Sequence, residues 1–566
     1  MSSNPVPTLA QLDAALDAHP DNPEILHERG IWMLNNGRFN EALVCLDLSS
    51  IIYPGHAHTY VTRAACLINM NRAEEALEPC SRALAIDPNC ADALLNRGAA
   101  YIMLKKPDEA IVDLQHALTL REDPRGIVNL CAAYHLQGRH EEALKGYRRV
   151  LEVDPKLYVA RSSLIACLDF LIEDGFDAFQ AERKEYGKQH GNVQQLGLLQ
   201  DKDPNRKITI GYVGADFRYH SAAFCFKPII GYRDKDKFQF NIYSGVTAPD
   251  QMTKWFMENV DIWRDTIGMT DFGLAQQIRN DQVDILVDRS GHSVGNKLMT
   301  FAHKPAPIQI TAWGHGGGTG LPQMDYQFTD PVWIPTWARH LFTEKCWDLP
   351  CFITFEPPAM GPEIRPLPAL ENGYITFGCM NRYQKVTTKA EALWAKILLA
   401  VPDSRLLLKD GVFDSEDERN ALRLRFKEHG VDPDRISFMG ITSHWDHMNS
   451  YGLADIMLDP FPMGGGITTW EALYMGVPTI TELGTTQASR ITGAIQCALR
   501  LDAFCCIGKD NYLDLAVRMA KDYAYLDKLR KQLRVRVAGS AAGNPKEYTK
   551  HVEDAYLTMW KDWCSK

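Results

Sequence analysis

FNEAL at 39–43, AEEAL at 73–77, PDEAI at 107–111 and HEEAL at 140–144 are one phrase written four times. Ala42, Ala76 and Ala110 stand 34 residues apart, and Ala143 follows after 33. Pro20, Pro54 and Pro88 keep the same 34-residue step, and Pro155 fits two repeats later with one residue deleted. Gly30, Ala64, Gly98 and Cys131 each lie twelve residues before their alanine, and Ala83 and Ala117 lie seven after theirs. A 34-residue period with small residues in fixed register is that of the tetratricopeptide repeat (TPR). Two antiparallel helices pack closely where small side chains meet, and the proline ends the second helix and turns the chain into the next repeat. One repeat cannot bury a core, but a stack can. The register predicts four repeats over about residues 23–157, preceded by one half-repeat helix.

Such a stack presents a groove. Asn96 and Asn129 hold the same position in their repeats, where an amide can both donate to and accept from an extended backbone. Glu28 and Thr62 fill the other two places, so the ladder is incomplete. An acceptor protein or peptide is the expected occupant; a purely structural or dimerising stack, giving a homodimer, is the other use.

The chain has 566 residues, a net charge of −10, 45% hydrophobic and 23% charged residues. That composition excludes wholesale disorder, and the length calls for roughly three domains. No apolar run reaches the ~18 residues of a membrane span, and MSSNPVPTLAQLDAAL lacks the basic-then-apolar pattern of a secretory signal. The acidic balance argues against a nucleic-acid partner. The fourteen cysteines contain no Cys-x-x-Cys pair and read as buried free thiols of a cytoplasmic protein rather than metal ligands or disulfides.

From about Arg206 the pattern changes. KITIGYV (207–213), FQFNIYSG (238–245), VDILVD (283–288) and PIQITAW (307–313) are short β-rich runs with helical segments such as DFGLAQQIRND (271–281) between. A second series follows: YITFGCM (374–380), SRLLLKD (404–410), RISFMGI (435–441), ADIMLDP (454–460) and VPTITEL (477–483). Alternating strands and helices imply parallel sheets, and ligands of open α/β sheets bind beyond the strands' carboxyl ends. The Pro-rich passage 351–373 reads as a linker. The expected domains are a TPR superhelix (1–200), two doubly wound Rossmann-like domains facing a cleft (201–365 and 366–540), and a final helix (541–566) crossing back onto the first of them.

DPFPMGGGITTWEAL (459–473) runs from a strand through Gly464, Gly465 and Gly466 into a helix. Glycines allow close backbone approach, and first-turn amides with the helix dipole favour a phosphate. Thr468 and Thr469 add hydroxyls, and Glu471 suits a ribose. The segment has neither a dinucleotide nor a P-loop fingerprint. His444 and His447 in SHWDH lack a third metal ligand, and Ser443 with Asp446 reads as a helix cap.

The set of motifs IGYVGADFRYHSAAF, VDILVDRSGHSVGNKLMTFAHKPAPIQITAWGHGGGTGLPQMDY, MNRYQKVTTKAEALWAKIL, SHWDHMNSYGLADIMLDPFP, GITTWEALYMGVPTIT and QASRI, in this order and spacing, resembles the O-GlcNAc-transferase and SPINDLY-type glycosyltransferases of family 41. The resemblance covers nearly the whole chain. It implies a GT-B fold and inverting transfer of a sugar from a nucleotide sugar to a protein Ser/Thr hydroxyl. It implies that His220 is the active-site histidine, a general base or a substrate hydrogen-bonding group. Lys385 would contact the diphosphate and replace a metal, so no metal and no cofactor beyond the donor are expected. His292 and the loop from Gly314, with His315, match sugar-side and acceptor-side elements. Gln384, His444, Gly465, Gly466, Thr468, Thr469 and Glu471 match the nucleotide side, and Arg490 a scaffold position.

Three positions depart from the family pattern. Ile467 stands in the phosphate loop where relatives carry His or Thr, Ser450 replaces a base-contacting arginine, and Gly314-His315-Gly316-Gly317 replaces Gly-Tyr-Pro-Gly. They leave the donor open. UDP-GlcNAc is the first choice; GDP-fucose or a CMP-linked nonulosonic acid, a transferase dedicated to one abundant protein such as flagellin, and a TPR adaptor with a degenerate catalytic domain are the alternatives.

Overall fold

The computed structural model describes residues 7–171, 175–314, 316–358 and 360–566. The chain divides into two compact units, Met1–Cys167 with Thr266–Leu274, and Leu168–Asp265 with Ala275–Lys566.

The first unit is the helical stack. After a lone α1 (Leu9–Ala18) come four antiparallel pairs: α2 (Pro23–Asn35) with α3 (Phe39–Ile52), α4 (Ala57–Asn69) with α5 (Ala73–Ile86), α6 (Ala91–Met103) with α7 (Pro107–Leu120), and α8 (Pro124–Leu136) with α9 (His140–Val153). α10 (Tyr158–Leu168) follows. Steric need explains the small residues. A Cβ on Gly30 would lie 2.8 Å from Leu46, and one on Gly98 would lie 2.6 Å from Leu114. Ala42, Ala76, Ala110 and Ala143 are fully buried. Pro20, Pro54, Pro88 and Pro155 each stand just past a helix end, where a missing N–H costs nothing.

The second unit opens with α11 (Phe176–His190), so this helix parts from the repeats to which a boundary at residue 200 would assign it. Two parallel sheets follow. The first runs β3-β2-β1-β4-β5-β6-β7, from β1 (Ile208–Gly214), β2 (Phe238–Ser244), β3 (Ile262–Asp265), β4 (Ile285–Asp288), β5 (Ile308–Thr311), β6 (Tyr326–Thr329) and β7 (Lys345–Asp348). The second runs β10-β9-β8-β11-β12-β13, from β8 (Thr376–Cys379), β9 (Arg405–Lys409), β10 (Ile436–Met439), β11 (Ile456–Leu458), β12 (Thr479–Glu482) and β13 (Cys505–Cys506). Every pairing is parallel. Strand order reverses between β1 and β4 in one sheet and between β8 and β11 in the other, so each sheet opens a crevice there. This is the GT-B architecture expected from the sequence.

Four strands escape the sequence pattern. IWRD and KCWD are half-exposed edge strands, CC is two residues long, and YQFT is too polar to read as an apolar run. The Pro-rich passage is not a solvated tether: Cys351, Ile353 and Phe355 are buried, and the Phe355 ring stacks on Trp470. The last helix, Pro545–Cys564, packs on the first sheet's side of the unit. Tyr548 Oη accepts from Trp313 Nε1 at 3.1 Å, and Thr549 Oγ1 donates to the Pro228 carbonyl at 3.2 Å. All fourteen cysteines are free thiols. Among the described residues no helix is long and apolar enough to cross a membrane.

Candidate active site

A cleft of about 1000 Å³ lies between the two sheets' domains. It is lined from one side by Tyr219, His220, Ser221, Phe224 and Lys227, and from the other by Arg382, Lys409, His444, His447, Thr468 and Glu471. These are the loops beyond the carboxyl ends of β1, β8, β9, β10 and β11, as the topology requires.

Two loops meet at the second switch point. Lys385 ends the 3₁₀ turn Tyr383–Lys385 after β8, and its Nζ donates to the Gly464 carbonyl after β11 at 2.7 Å. Burial, and then repulsion by Arg382, push the Lys385 ammonium down to about 8, with Asp459 opposing. Asp459 is buried and pushed up to about 6, chiefly by desolvation, while accepting from Thr481 Oγ1 (2.7 Å) and the Gly465 amide (2.8 Å). Its carboxylate holds the loop shape.

Two of the three glycines are sterically required. A Cβ on Gly464 would meet Asp459 Oδ2 at 2.7 Å, and one on Gly465 would meet Thr469 Oγ1 at 2.7 Å and Thr468 Oγ1 at 2.9 Å. Gly466 has room, its nearest neighbour being Ile353 at 3.7 Å. It caps the helix Ile467–Tyr474, whose first amides have no partner within the helix.

The residues of that helix divide by direction. Thr468 lines the cleft and donates to Asn381 Oδ1 at 3.0 Å. Thr469 is buried and bonded to Thr492, so it braces the loop rather than facing a ligand. Ile467 is in the core. Glu471 is 5% exposed yet borders the cleft, and Oε2 takes hydrogen bonds from His447 Nε2 (3.1 Å) and Tyr451 Oη (3.0 Å). Ser450 is buried and donates to the His447 carbonyl, so that position is closed to a base. Gln384 sits beside Lys385 on the same turn, and neither is among the cleft-lining residues.

On the opposite wall His220 caps α12 (Ser221–Gly231), its Nδ1 accepting from the Ala222 amide at 3.3 Å. Asp216 Oδ1 stands 3.7 Å from the same nitrogen. Burial, aided by Arg382, Arg218 and Arg289, holds the ring below the ordinary histidine range against the pull of Asp216. A neutral ring in this pose carries its proton on Nε2, which faces away from the cap. His444 begins the helix His444–Ser450, capped by Ser443, and stacks on Phe224 across the cleft with centroids 5.9 Å apart.

His292 is elsewhere. It is 1% exposed, outside the cleft lining, and its Nε2 pairs with the Thr319 carbonyl at 3.0 Å. That bond ties it to the glycine-rich loop. Burial in a packed interior is invisible to a motif. Gly314 lies against the Arg289 carbonyl, 2.2 Å from where its Cβ would be, and does not line the cleft; His315 lies outside the described residues. Arg490 donates to the Val332 and Gly484 carbonyls as a scaffold residue. In the helical unit Asn96 and Asn129 are both partly buried, and Asn96 donates to the Val61 carbonyl of the preceding repeat at 3.1 Å.

Sequence reasoning passed over Arg382 and Lys409, and weighed His447 only as a metal ligand. Arg382 lines the cleft with no ion-pair partner among the described residues, close enough to lower both His220 and Lys385. Its place inside NRYQK was the available signal. Lys409, at the end of β9, donates to the Gly440 carbonyl at 2.6 Å beside Asp410.

Residues 195–354 and 364–552 match the profile of glycosyl transferase family 41. The chain belongs to that family. Residues 91–124 match the tetratricopeptide repeat. This family-41 chain is 35% identical over 422 residues to a probable UDP-N-acetylglucosamine–peptide N-acetylglucosaminyltransferase SPINDLY of Arabidopsis thaliana, covering 73% of this chain and 46% of that protein. It is 23% identical over 477 residues to the UDP-N-acetylglucosamine–peptide N-acetylglucosaminyltransferase of Caenorhabditis elegans, covering 64% and 41%. A solved structure of a Thermobaculum terrenum O-GlcNAc transferase mutant superposes with a TM-score of 0.84 at 28% identity, over 90% of this chain and 98% of that one. The family-41 chain thus spans about half the length of the curated relatives it matches.

Proposed function

We propose that the chain is a protein O-glycosyltransferase that moves a sugar, with inversion and without a metal, from a nucleoside diphosphate sugar to a Ser/Thr hydroxyl. The observation that supports this reading is that Arg382 and Thr468 line one cleft, while Lys385, behind that lining, is bonded to the Gly464 carbonyl of the loop that enters the Thr468 helix. Two cations and a helix N-terminus suit a diphosphate better than a monophosphate, which favours UDP or GDP sugars over a CMP-linked one. UDP-GlcNAc is the first choice.

As the glycosidic bond breaks, negative charge builds on the leaving diphosphate. Arg382 on the cleft wall and Lys385 three residues on, at the end of the same turn, supply the cations for that charge. Glu471, fixed by His447 and Tyr451, keeps acceptor capacity for ribose hydroxyls. His220 faces the sugar and acceptor. With its proton on Nε2 it donates to a substrate oxygen. Moved to Nδ1 and shared with Asp216, the same proton leaves Nε2 a base for the acceptor hydroxyl. The repeats hold the acceptor protein, and Asn129 is the better placed of the two asparagines, since Asn96 is engaged between repeats.

The test is a thermal-shift screen against UDP, GDP, CMP and their sugar conjugates, followed by radiolabelled transfer from the best donor with and without chelator. A shift with one diphosphate and chelator-insensitive transfer support the proposal. No shift with any nucleotide, confirmed by calorimetry, removes it in favour of an adaptor.

A further inference from the structure

The fourth repeat carries polar chemistry that the other three lack. His135 stands in the last turn of α8 and His140 opens α9, with a tight turn between them that Gly138 makes at a positive φ of 77°. The equivalent pairs are Leu34 and Phe39, Ile68 and Ala73, and Ile102 and Pro107. Repeat packing therefore asks for apolar residues here, and imidazoles occupy both places in one repeat only.

The two rings meet nitrogen to nitrogen, Nδ1 to Nδ1 at 3.0 Å, with centroids 4.7 Å apart. Cys167 of α10 brings a third donor: its Sγ lies 3.1 Å from the His140 carbonyl. The three ligand atoms all fall within 4.8 Å of one another. His140 is 6% exposed and Cys167 fully buried, while His135 is partly exposed and leaves an approach from solvent.

We infer that His135, His140 and Cys167 form a site for a thiophilic divalent ion, Zn²⁺ by preference. Zinc binds imidazole nitrogen at about 2.0–2.1 Å and thiolate sulfur at about 2.3 Å, so tetrahedral ligand atoms lie roughly 3.3–3.6 Å apart. The nitrogen pair is already near that separation, and sulfur closes the set with a small movement. On binding, the ring that donates through Nδ1 shifts its proton to Nε2, and Cys167 releases its thiol proton to solvent, leaving two neutral imidazoles and one thiolate. Two nitrogens and one soft sulfur favour zinc over calcium or magnesium. The ion ties α10 to the α8–α9 turn and closes the last repeat, with a fourth position open on the His135 side. No cysteine spacing announces it, because its ligands come from three helices.

The test uses the full chain, stripped with chelator and titrated with Co²⁺ and then Zn²⁺. One equivalent of Co²⁺ is expected to give the near-ultraviolet thiolate charge-transfer band and intense visible bands of a four-coordinate site, erased by one equivalent of Zn²⁺. Cys167→Ser removes the charge-transfer band. His135→Gln, at a partly exposed position that leaves the metal-free melting temperature unchanged, weakens Zn²⁺ by more than the ~10–100-fold that a change outside the ligand set costs. Absence of a stoichiometric cobalt spectrum overturns the inference. So does a spectrum and affinity that survive both substitutions, which would place the ion at other histidines.

Discussion

Lys385 Nζ donates to the Gly464 carbonyl at 2.7 Å, and that bond ties the loop after β8 to the loop after β11. The two strands are neighbours at the point where the sheet reverses its order. In the proposed chemistry the cation on one loop and the helix start on the other serve one diphosphate, so it depends on both.

Lys385→Ala is expected to reduce transfer on the order of 10²–10³-fold while leaving the far-ultraviolet spectrum intact. The pH dependence has a definite sign. An ordinary lysine holds its proton to about 10.5, but burial brings Lys385 to about 8, so the donor-free cation is lost as pH rises through 8. Diphosphate affinity, read by calorimetry, should fall between pH 7 and 9, with a proton taken up on binding at the upper end. The same group makes folding more favourable as pH rises from about 8 to 10.5, since the unfolded chain then binds more protons. Unchanged turnover in Lys385→Ala, or an affinity flat in pH, removes the phosphate role.

His220→Asn separates helix capping from chemistry. Asparagine caps a helix as well as any residue, so the fold and melting temperature should hold. If the ring transfers a proton, kcat falls on the order of 10²–10⁴-fold and the acid limb of kcat/KM disappears. The wild-type limb should lie below the ordinary histidine range, because burial and three arginines oppose protonation. A limb at or above that range, or a variant as active as the parent, contradicts the assignment.

The repeats and the paired sheets were legible because each repeats a period: 34 residues in the first case, strand and helix alternation in the second. Thr468 and Glu471, which border the cleft, were legible because they flank a strand end in a recognisable set of motifs. Lys385, His292, Thr469 and Gly314 carried the same motif signal, yet none of them lines the cleft, and Lys385, His292 and Thr469 are bonded to neighbouring segments. A motif preserves neighbours in sequence, but which way each side chain faces is decided by packing. Thr468 and Thr469 are adjacent and point to opposite environments. The His135, His140 and Cys167 cluster was illegible for a different reason, since only the stacking of three helices brings it together.

Gly465→Ala and Gly466→Ala should part sharply. An added Cβ at 465 meets the hydroxyls of Thr468 and Thr469 inside 3 Å, whereas at 466 nothing lies nearer than 3.7 Å. Overpacking of this kind costs about 1–3 kcal/mol and here also displaces the helix start. Nucleotide affinity in a thermal-shift titration should drop markedly for Gly465→Ala and change little for Gly466→Ala. Equal effects would mean that the loop adapts and that its glycines serve no close approach.

Arg183 tests how the glycine-rich loop is held. This fully buried guanidinium donates to the carbonyls of Phe179 (2.8 Å), Gly316 (3.3 Å) and Gly318 (3.3 Å), and pairs with Asp169 at 3.1 Å. The neighbouring Gln180 adds a bond to the Gly317 carbonyl at 2.7 Å. A helix that precedes both sheets thus fixes a loop lying beyond β5. Removing one partner of a buried pair costs about 3–5 kcal/mol, because the other charge and the loop carbonyls are left without their donor. Arg183→Ala should lower the unfolding free energy from urea titration by that amount, with a lower midpoint, and speed amide exchange across Gly316–Gly320. Arg183→Met, which restores volume but no donor, should recover part of the midpoint and none of the exchange protection. Recovery of both by methionine would show that the arginine acts through packing alone and that the loop needs no clamp.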